Sequence, residues 1–255
     1  MIKSLGNKTK DLYNQNASSW VRTKPNSLSD FTGRPKIIDL CGDIKNLKVL
    51  DVGCGEGYGS RALINRGASS VEGIDISQEM INLAKEKEKD KLLNINYQVC
   101  DIKKLPFKDN TFDIVLGIFV FNYLYVDETL ISMKEIFRVL KNKGKFVFGV
   151  PHPSFPQIKR NDNEPFYFDF ERKGYFSSRD KKFEGFICCR DGKKLPVQMI
   201  HKLLEDYFYC LKESGFKSLP EIKELGVLKE HLDLEREFFE PVNDIPLHLA
   251  IAINK

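Results

Sequence analysis

No stretch of this chain is apolar for long enough to cross a bilayer, and its first residues, MIKSLGNKTK, lack the hydrophobic centre of a secretory signal. A cytoplasmic protein without a membrane partner is expected. Charge of one sign is not in excess either, since 40 Lys and Arg against 36 Asp and Glu leave +4. The densest run, Lys85-Glu86-Lys87-Glu88-Lys89-Asp90-Lys91, mixes both signs and suits a solvated helix face with i,i+4 pairs. Without a basic stripe, no nucleic-acid partner is expected. The six cysteines, at 41, 54, 100, 188, 189 and 210, include no C-x-x-C spacing and read as reduced, mostly buried small residues. No acidic cluster has the spacing of metal ligands, so no metal is expected.

What is present starts at Lys48-Val49-Leu50-Asp51-Val52-Gly53-Cys54-Gly55-Glu56-Gly57-Tyr58-Gly59. Val49, Leu50 and Val52 are strand formers, the glycines permit a tight turn, and Arg61-Ala62-Leu63-Ile64 starts a helical pattern. Strand, glycine turn and helix in that order lay backbone N–H groups at a helix N-terminus against a ligand. The next strand, Ser70 to Ile74, delivers Asp75 about 20 residues past the turn, where a doubly wound sheet holds ribose hydroxyls. A third, Ile95 to Cys100, delivers Asp101. The dinucleotide pattern G-x-G-x-x-G needs glycine at 58, where Tyr58 stands, which makes NAD the second choice.

These segments, together with VCDIKKLPFKDNTFDIVLG and KGKFVFGVP, resemble the class I S-adenosylmethionine-dependent methyltransferases over residues 45 to 150. The resemblance implies a Rossmann-like α/β fold, a doubly wound sheet of about seven strands with helices on both faces. It also implies S-adenosyl-L-methionine as cofactor, with Asp75 on the ribose, Ile76 on the adenine, and Asp101 and the backbone of Ile102 at the adenine amino group. Backbone at Gly53, Gly117 and Ile118 would hold the methionine part and Asp51 its ammonium. Cys54 and Gly55 belong to the loop, and Met80 lies on the helix that begins over the adenine.

The 42% hydrophobic content supports one large domain with additions. Residues 1–44 are expected to form an N-terminal helical lid, 45–150 the cofactor core, 151–200 a cap inserted after the fifth strand, and 201–255 the rest of the sheet. Tyr13, Ala17 and Trp20 have helical spacing, which makes Tyr13, Trp20 and Arg22 lid candidates; aromatic docking of a helix would account for the same spacing. Thr111 to Leu116 reads as a central strand followed by Asn122 and Tyr123, both candidates for substrate contact. The 151–200 segment is rich in Phe and Tyr, including Phe155 and Tyr175 as substrate candidates, and predicts a hairpin turning at Asp191-Gly192. Leu204, Tyr207, Phe208 and Leu211 predict a helix, and Pro246 to Ile253 a last strand that the resemblance inserts antiparallel beside the fifth.

Methyl transfer from a sulfonium is mainly a positioning problem, and a base is needed only where the acceptor must lose a proton. His152, at the end of the fifth strand, is the expected catalytic base and substrate contact, with His201 second and His231 and His248 structural or exposed. The fourth strand runs into GIFVFNYLY, not the Asn/Asp-Pro-Pro-Tyr of nucleic-acid amino-methylating enzymes, and there is no Pro-Cys dipeptide of cytosine-C5 enzymes. The expected acceptor is therefore a small molecule. The PHPSF turn, the aromatic 151–200 segment and HKLLEDYFYCLKESGF resemble bacterial small-molecule methyltransferases that tailor natural products or heteroaromatic metabolites, which implies an aromatic or heterocyclic acceptor methylated on O or N, by a monomer or homodimer. A nicotinamide-dependent oxidoreductase and a catalytically silent S-adenosylmethionine-binding module are the alternatives.

Overall fold

Strand β1 (Lys48–Val52) runs between β2 (Ser70–Asp75) and β4 (Phe112–Ile118), parallel to both. The computed structural model describes residues 6–21, 24–89, 93–155, 166–170 and 173–255. Among them one sheet has seven strands in the order β3-β2-β1-β4-β5-β10-β9, with β3 (Ile95–Val99), β5 (Leu140–Pro151), β9 (Glu221–Leu225) and β10 (His248–Asn254). Strand β10 is antiparallel to both β5 and β9. Strand order reverses between β1 and β4, so a crevice opens at their C-terminal ends.

Period-two alternation sorts the strand residues to two faces. Leu50, Val52, Phe146, Phe148 and Leu249 meet α6 (Val126–Val139) and α7 (Leu204–Glu213), while Val49, Val71, Val147 and Ala250 meet α3 (Arg34–Asp39) and α4 (Tyr58–Asn65). Phe112, Phe146 and Phe148 are fully buried, and each such side chain stabilises the fold by roughly 1.5–3 kcal/mol. Helix α6 is capped at Tyr125, whose N–H donates to Glu128 at 3.1 Å, so Asp127, a capping residue type, lies inside the first turn. Helix α5 (Gln78–Glu88) is capped by Ser77, its hydroxyl accepting the Met80 N–H at 3.2 Å. Helix α8 (Lys229–Phe239) is an addition to the expected elements; its buried Phe239 meets Phe31 edge to face at 5.5 Å.

Two structures cover the crevice. The first is α1 (Gly6–Asn16), a 3-10 turn over Ala17–Trp20 and α2 (Leu28–Thr32). The Ser77 hydroxyl donates to the Asn14 side-chain oxygen Oδ1 at 2.7 Å, which fixes α1 on the start of α5. The second is an antiparallel sheet of β6 (Phe166–Phe168), β7 (Lys182–Cys188) and β8 (Lys194–Ile200), with Phe186 paired to Pro196 around the expected turn. Phe166, Phe168 and Val197 point inward, while Tyr167 is exposed. The two covers touch where Ser27 bridges Cys189 and the Arg190 N–H donates to the Asn26 carbonyl at 3.0 Å. Among the described residues no helix is long and apolar enough to cross a membrane.

Candidate active site

The glycine turn after β1 folds over the end of β2: the N–H groups of Gly53 and Cys54 both donate to the Ile74 carbonyl, at 2.8 and 2.9 Å. Gly53 has φ +71°, and a Cβ there would stand 2.8 Å from Val120. Gly55 has φ +55° and open space where its Cβ would be, so the loop leaves a cradle above it. Asp75 accepts the N–H groups of Gly55 and Ser77, each at 2.9 Å. Desolvation raises its pKa, against the pull of those N–H groups.

One cavity at the C-terminal edge of the sheet gathers Tyr13, Trp20, Gly53, Cys54, Gly55, Asp75, Ile76, Met80, Asp101, Ile102, Asn122 and Tyr123. All twelve are residues singled out from sequence. Asp51 lies beneath the loop, buried, accepting the Ser60 hydroxyl at 2.6 Å, and burial pushes its pKa up to about 6. Asp101 accepts the Lys103 N–H at 3.0 Å and keeps a half-exposed carboxylate. Gly117 and Ile118 are buried within β4 and do not line the cavity; Phe119 and Val120 stand there instead.

Three expected contacts lie elsewhere. His152 is turned away from the cavity by the pleat of β5: its Nε2 pairs with Glu224 on β9 at 2.9 Å and its Nδ1 accepts the Ser154 N–H. Burial lowers its pKa in spite of that carboxylate. Phe155 stacks on Phe166 at 4.8 Å, behind the wall that Phe166 presents. Tyr175 accepts the Leu204 N–H at 2.9 Å and its carbonyl bonds to the imidazole of His201, a buried ring whose pKa falls to about 4. Arg22 lies outside the described residues.

The cavity also holds residues that sequence reasoning missed. Arg34 lines it, with its Nε donating to Asp30 at 3.0 Å and its guanidinium 5.2 Å from the Phe119 ring. Asp30 is itself buried and accepts the N–H groups of Asn26 and Ser27. No sequence pattern distinguishes this arginine from a surface helix cation. His248, expected to be structural or exposed, is 2% exposed and lines the cavity. A signal existed for it: a last strand inserted antiparallel to β5 begins at the C-terminal edge, and His248 pairs with Pro151. Phe119, Phe166 and Phe168 complete an aromatic wall. Phe119 adopts φ +57°, a strained conformation for a bulky residue. Among the described residues no group of three or more His, Cys, Asp or Glu could hold a metal.

A parallel-centred sheet with an antiparallel β10, a glycine cradle at the switch point and carboxylates after β2 and β3 define a nucleoside-binding α/β enzyme. A methyltransferase-domain family model matches residues 50–148. A ubiquinone biosynthesis O-methyltransferase of Coxiella burnetii is 35% identical over 222 residues, 87% of this chain and 80% of that protein. A demethylmenaquinone methyltransferase of Staphylococcus aureus is 36% identical over 131 residues, 50% of this chain and 53% of that one. In such core-only matches the chain spans about half the length of its relatives. The fold is shared with an S-adenosylmethionine-dependent methyltransferase from Mesorhizobium loti, with TM-score 0.66 and 22% identity over 87% of this chain and 96% of that one. The chain belongs to the class I S-adenosylmethionine-dependent methyltransferases, whose cofactor is S-adenosylmethionine, and the nicotinamide alternative lapses.

Proposed function

We propose that the protein methylates an oxygen or nitrogen of a small aromatic or heterocyclic molecule. The observation that carries this is a continuous cavity lined both by the glycine cradle with Asp75 and by the aromatic rings of Trp20, Phe119, Phe166 and Phe168. The residues fit the cofactor. Gly55 leaves its cradle open, the Asp75 carboxylate has lone pairs left after two N–H bonds, and Asn122 Oδ1 is a buried acceptor without a hydrogen-bond partner.

When bound, S-adenosylmethionine supplies an electrophilic methyl group on a sulfonium. Asp75 would hold the ribose hydroxyls, Ile76, Met80 and Ile102 the adenine faces, and Asp101 the adenine amino group. The backbone of Gly53, Cys54 and Gly55 would lie along the nucleoside. Asp51 and Arg34 suit the ammonium and carboxylate of the amino-acid end. The aromatic wall would hold a flat acceptor and exclude water, and Tyr13 and Trp20 on the first cover close the chamber. Quinone-pathway relatives support a ring-bearing acceptor.

The test is calorimetric titration with S-adenosylhomocysteine, followed by transfer of labelled methyl to a set of phenols and N-heterocycles. Asp75→Ala should weaken binding on the order of a hundredfold, because hydrogen bonds to a charged group contribute about 1.5–3 kcal/mol each. Unchanged affinity in that variant would refute the site assignment. Binding without transfer to any acceptor would favour a silent cofactor-binding module.

A further inference from the structure

One buried ring nitrogen on a residue that lines the cavity has no partner within the protein. His248 Nε2 lies 2.9 Å from Thr32 Oγ1, and the Thr32 hydroxyl donates to the Leu28 carbonyl at 3.0 Å. A hydroxyl has a single proton. With that proton on Leu28, the imidazole must be the donor to Thr32 through Nε2–H, and Nδ1 keeps a bare lone pair. His248 Nδ1 is buried and has no hydrogen-bond partner in the protein. The opposite tautomer would bury an N–H donor with nothing to accept it, at a cost of about 1–3 kcal/mol, and would take the Thr32 proton from Leu28.

The ring is also locked in place. A Cβ at Gly33 would stand 2.9 Å from His248 Cδ2, so helix α3 begins directly against that edge. Phe119 packs on the ring at 5.1 Å and Phe166 at 6.4 Å. The Nδ1 edge is therefore the one turned from Gly33 and Thr32, in a residue that lines the aromatic end of the cavity. A ligand completing this site must bring a hydrogen-bond donor. A pyridine-type nitrogen, a thioether or a tertiary amine has none, whereas a phenolic hydroxyl can give its proton to Nδ1 while a lone pair on the same oxygen faces the methyl group.

We propose that the methyl acceptor is a hydroxylated aromatic ring whose hydroxyl donates to His248 Nδ1, and that Thr32 is the positioning residue that fixes the imidazole tautomer. This rests on the methyltransferase reading of the cavity. Burial, with the Arg34 charge nearby, pushes the imidazole pKa down to about 3, so the ring is neutral at physiological pH and orients the phenol without ionising it beforehand. As the oxygen–carbon bond forms, the carbon–sulfur bond breaks and its electron pair stays on sulfur. The alkylated oxygen becomes a far stronger acid than imidazolium, and its proton passes to Nδ1.

The test uses protein labelled with 15N in its four histidines, saturated with S-adenosylhomocysteine. Long-range 1H–15N correlation spectra, assigned with His248→Gln, are expected to show Nε2 protonated and Nδ1 bare. Phenol, catechol or 2-naphthol should move the Nδ1 resonance toward its protonated position, and the corresponding methyl ethers should not. Thr32→Val should populate both tautomers and weaken phenol binding about three- to tenfold, with S-adenosylhomocysteine affinity retained. Should His248→Gln fail to fold, Thr32→Val and removal of the other three histidines assign the signal. A proton on Nδ1 in the S-adenosylhomocysteine complex, an equal response to the ethers, or no response to any of the phenols overturns the proposal. Failure of the wild type to bind S-adenosylhomocysteine refutes instead the cofactor reading beneath it.

Discussion

Tyr13 from helix α1 and Tyr123 from the turn after β4 meet hydroxyl to hydroxyl over the cavity, with their rings edge to face at 5.5 Å and 82°. Burial raises the pKa of both phenols, so both are protonated at neutral pH. Asn122, the neighbour of Tyr123 in the turn after β4, lines the same cavity.

That contact is the latch of the first cover. Tyr13→Phe removes one neutral hydrogen bond, contributing about 0.5–1.5 kcal/mol, and should weaken S-adenosylhomocysteine about two- to tenfold. Tyr13→Ala also removes the ring packed on Trp20 at 5.6 Å and should weaken it further. Calorimetry on the two variants checks the order; equal affinity in wild type and both variants would show that α1 closes nothing.

Asp51 gives the affinity a pH dependence with a defined sign. Its pKa is raised to about 6 by burial, and only its carboxylate form attracts an ammonium. S-adenosylhomocysteine affinity should rise as pH increases through 6 and level off above 7. Below 6 it should fall toward tenfold per pH unit. Asp51→Asn should bind weakly with a flat profile between pH 5 and 8.

His152 pairs with Glu224 away from the cavity. His152→Gln should therefore keep kcat within about threefold, because it removes one pair with an exposed partner worth roughly 0–1 kcal/mol. A kcat loss of a hundredfold or more in a variant that melts like wild type would restore His152 as the base.

Acid should unfold the protein through two histidines. His201 and His248 are buried, with pKa values lowered to about 4 and about 3 from an unfolded value near 6.5. As pH falls below 6.5 the unfolded chain binds protons that the native state refuses. Stability is complete above that value and lost below it by about 1.4 kcal/mol per pH unit per histidine. Asp51 acts oppositely between about pH 6 and 4, since its raised pKa lets the native state hold a proton the unfolded chain releases. Urea titrations from pH 7 to 4.5 should show a shallower decline in His248→Gln.

The parallel core was legible because its signals are local. Val49 to Gly59 contains strand, turn and helix start, and Asp75 and Asp101 follow at strand ends whose positions the sheet dictates. His152 falls off the lining of the cavity for a reason of parity. His152 follows Pro151 at the end of β5, and in a pleated strand one step reverses the face, so reaching the right edge of the sheet did not ensure reaching the cavity. Arg34 lay beyond sequence reasoning because its role depends on non-local neighbours, and for His248 the strand order signalled its edge of the sheet but not its partner. Thr32 sits 216 positions from the imidazole that it orients. Helix α8 was missed although Leu228, Leu232 and Phe239 have helical spacing, because its many charges weaken the apolar stripe.

The join between the covers also ties them to the cavity. Asn26 and Ser27, which hold the tip of the β7–β8 hairpin, are the same residues whose N–H groups anchor Asp30, and Asp30 in turn steadies Arg34. The hairpin tip and the support of Arg34 therefore rest on the same two residues, so a change that loosens Asn26 or Ser27 should disturb both the second cover and the cation in the cavity.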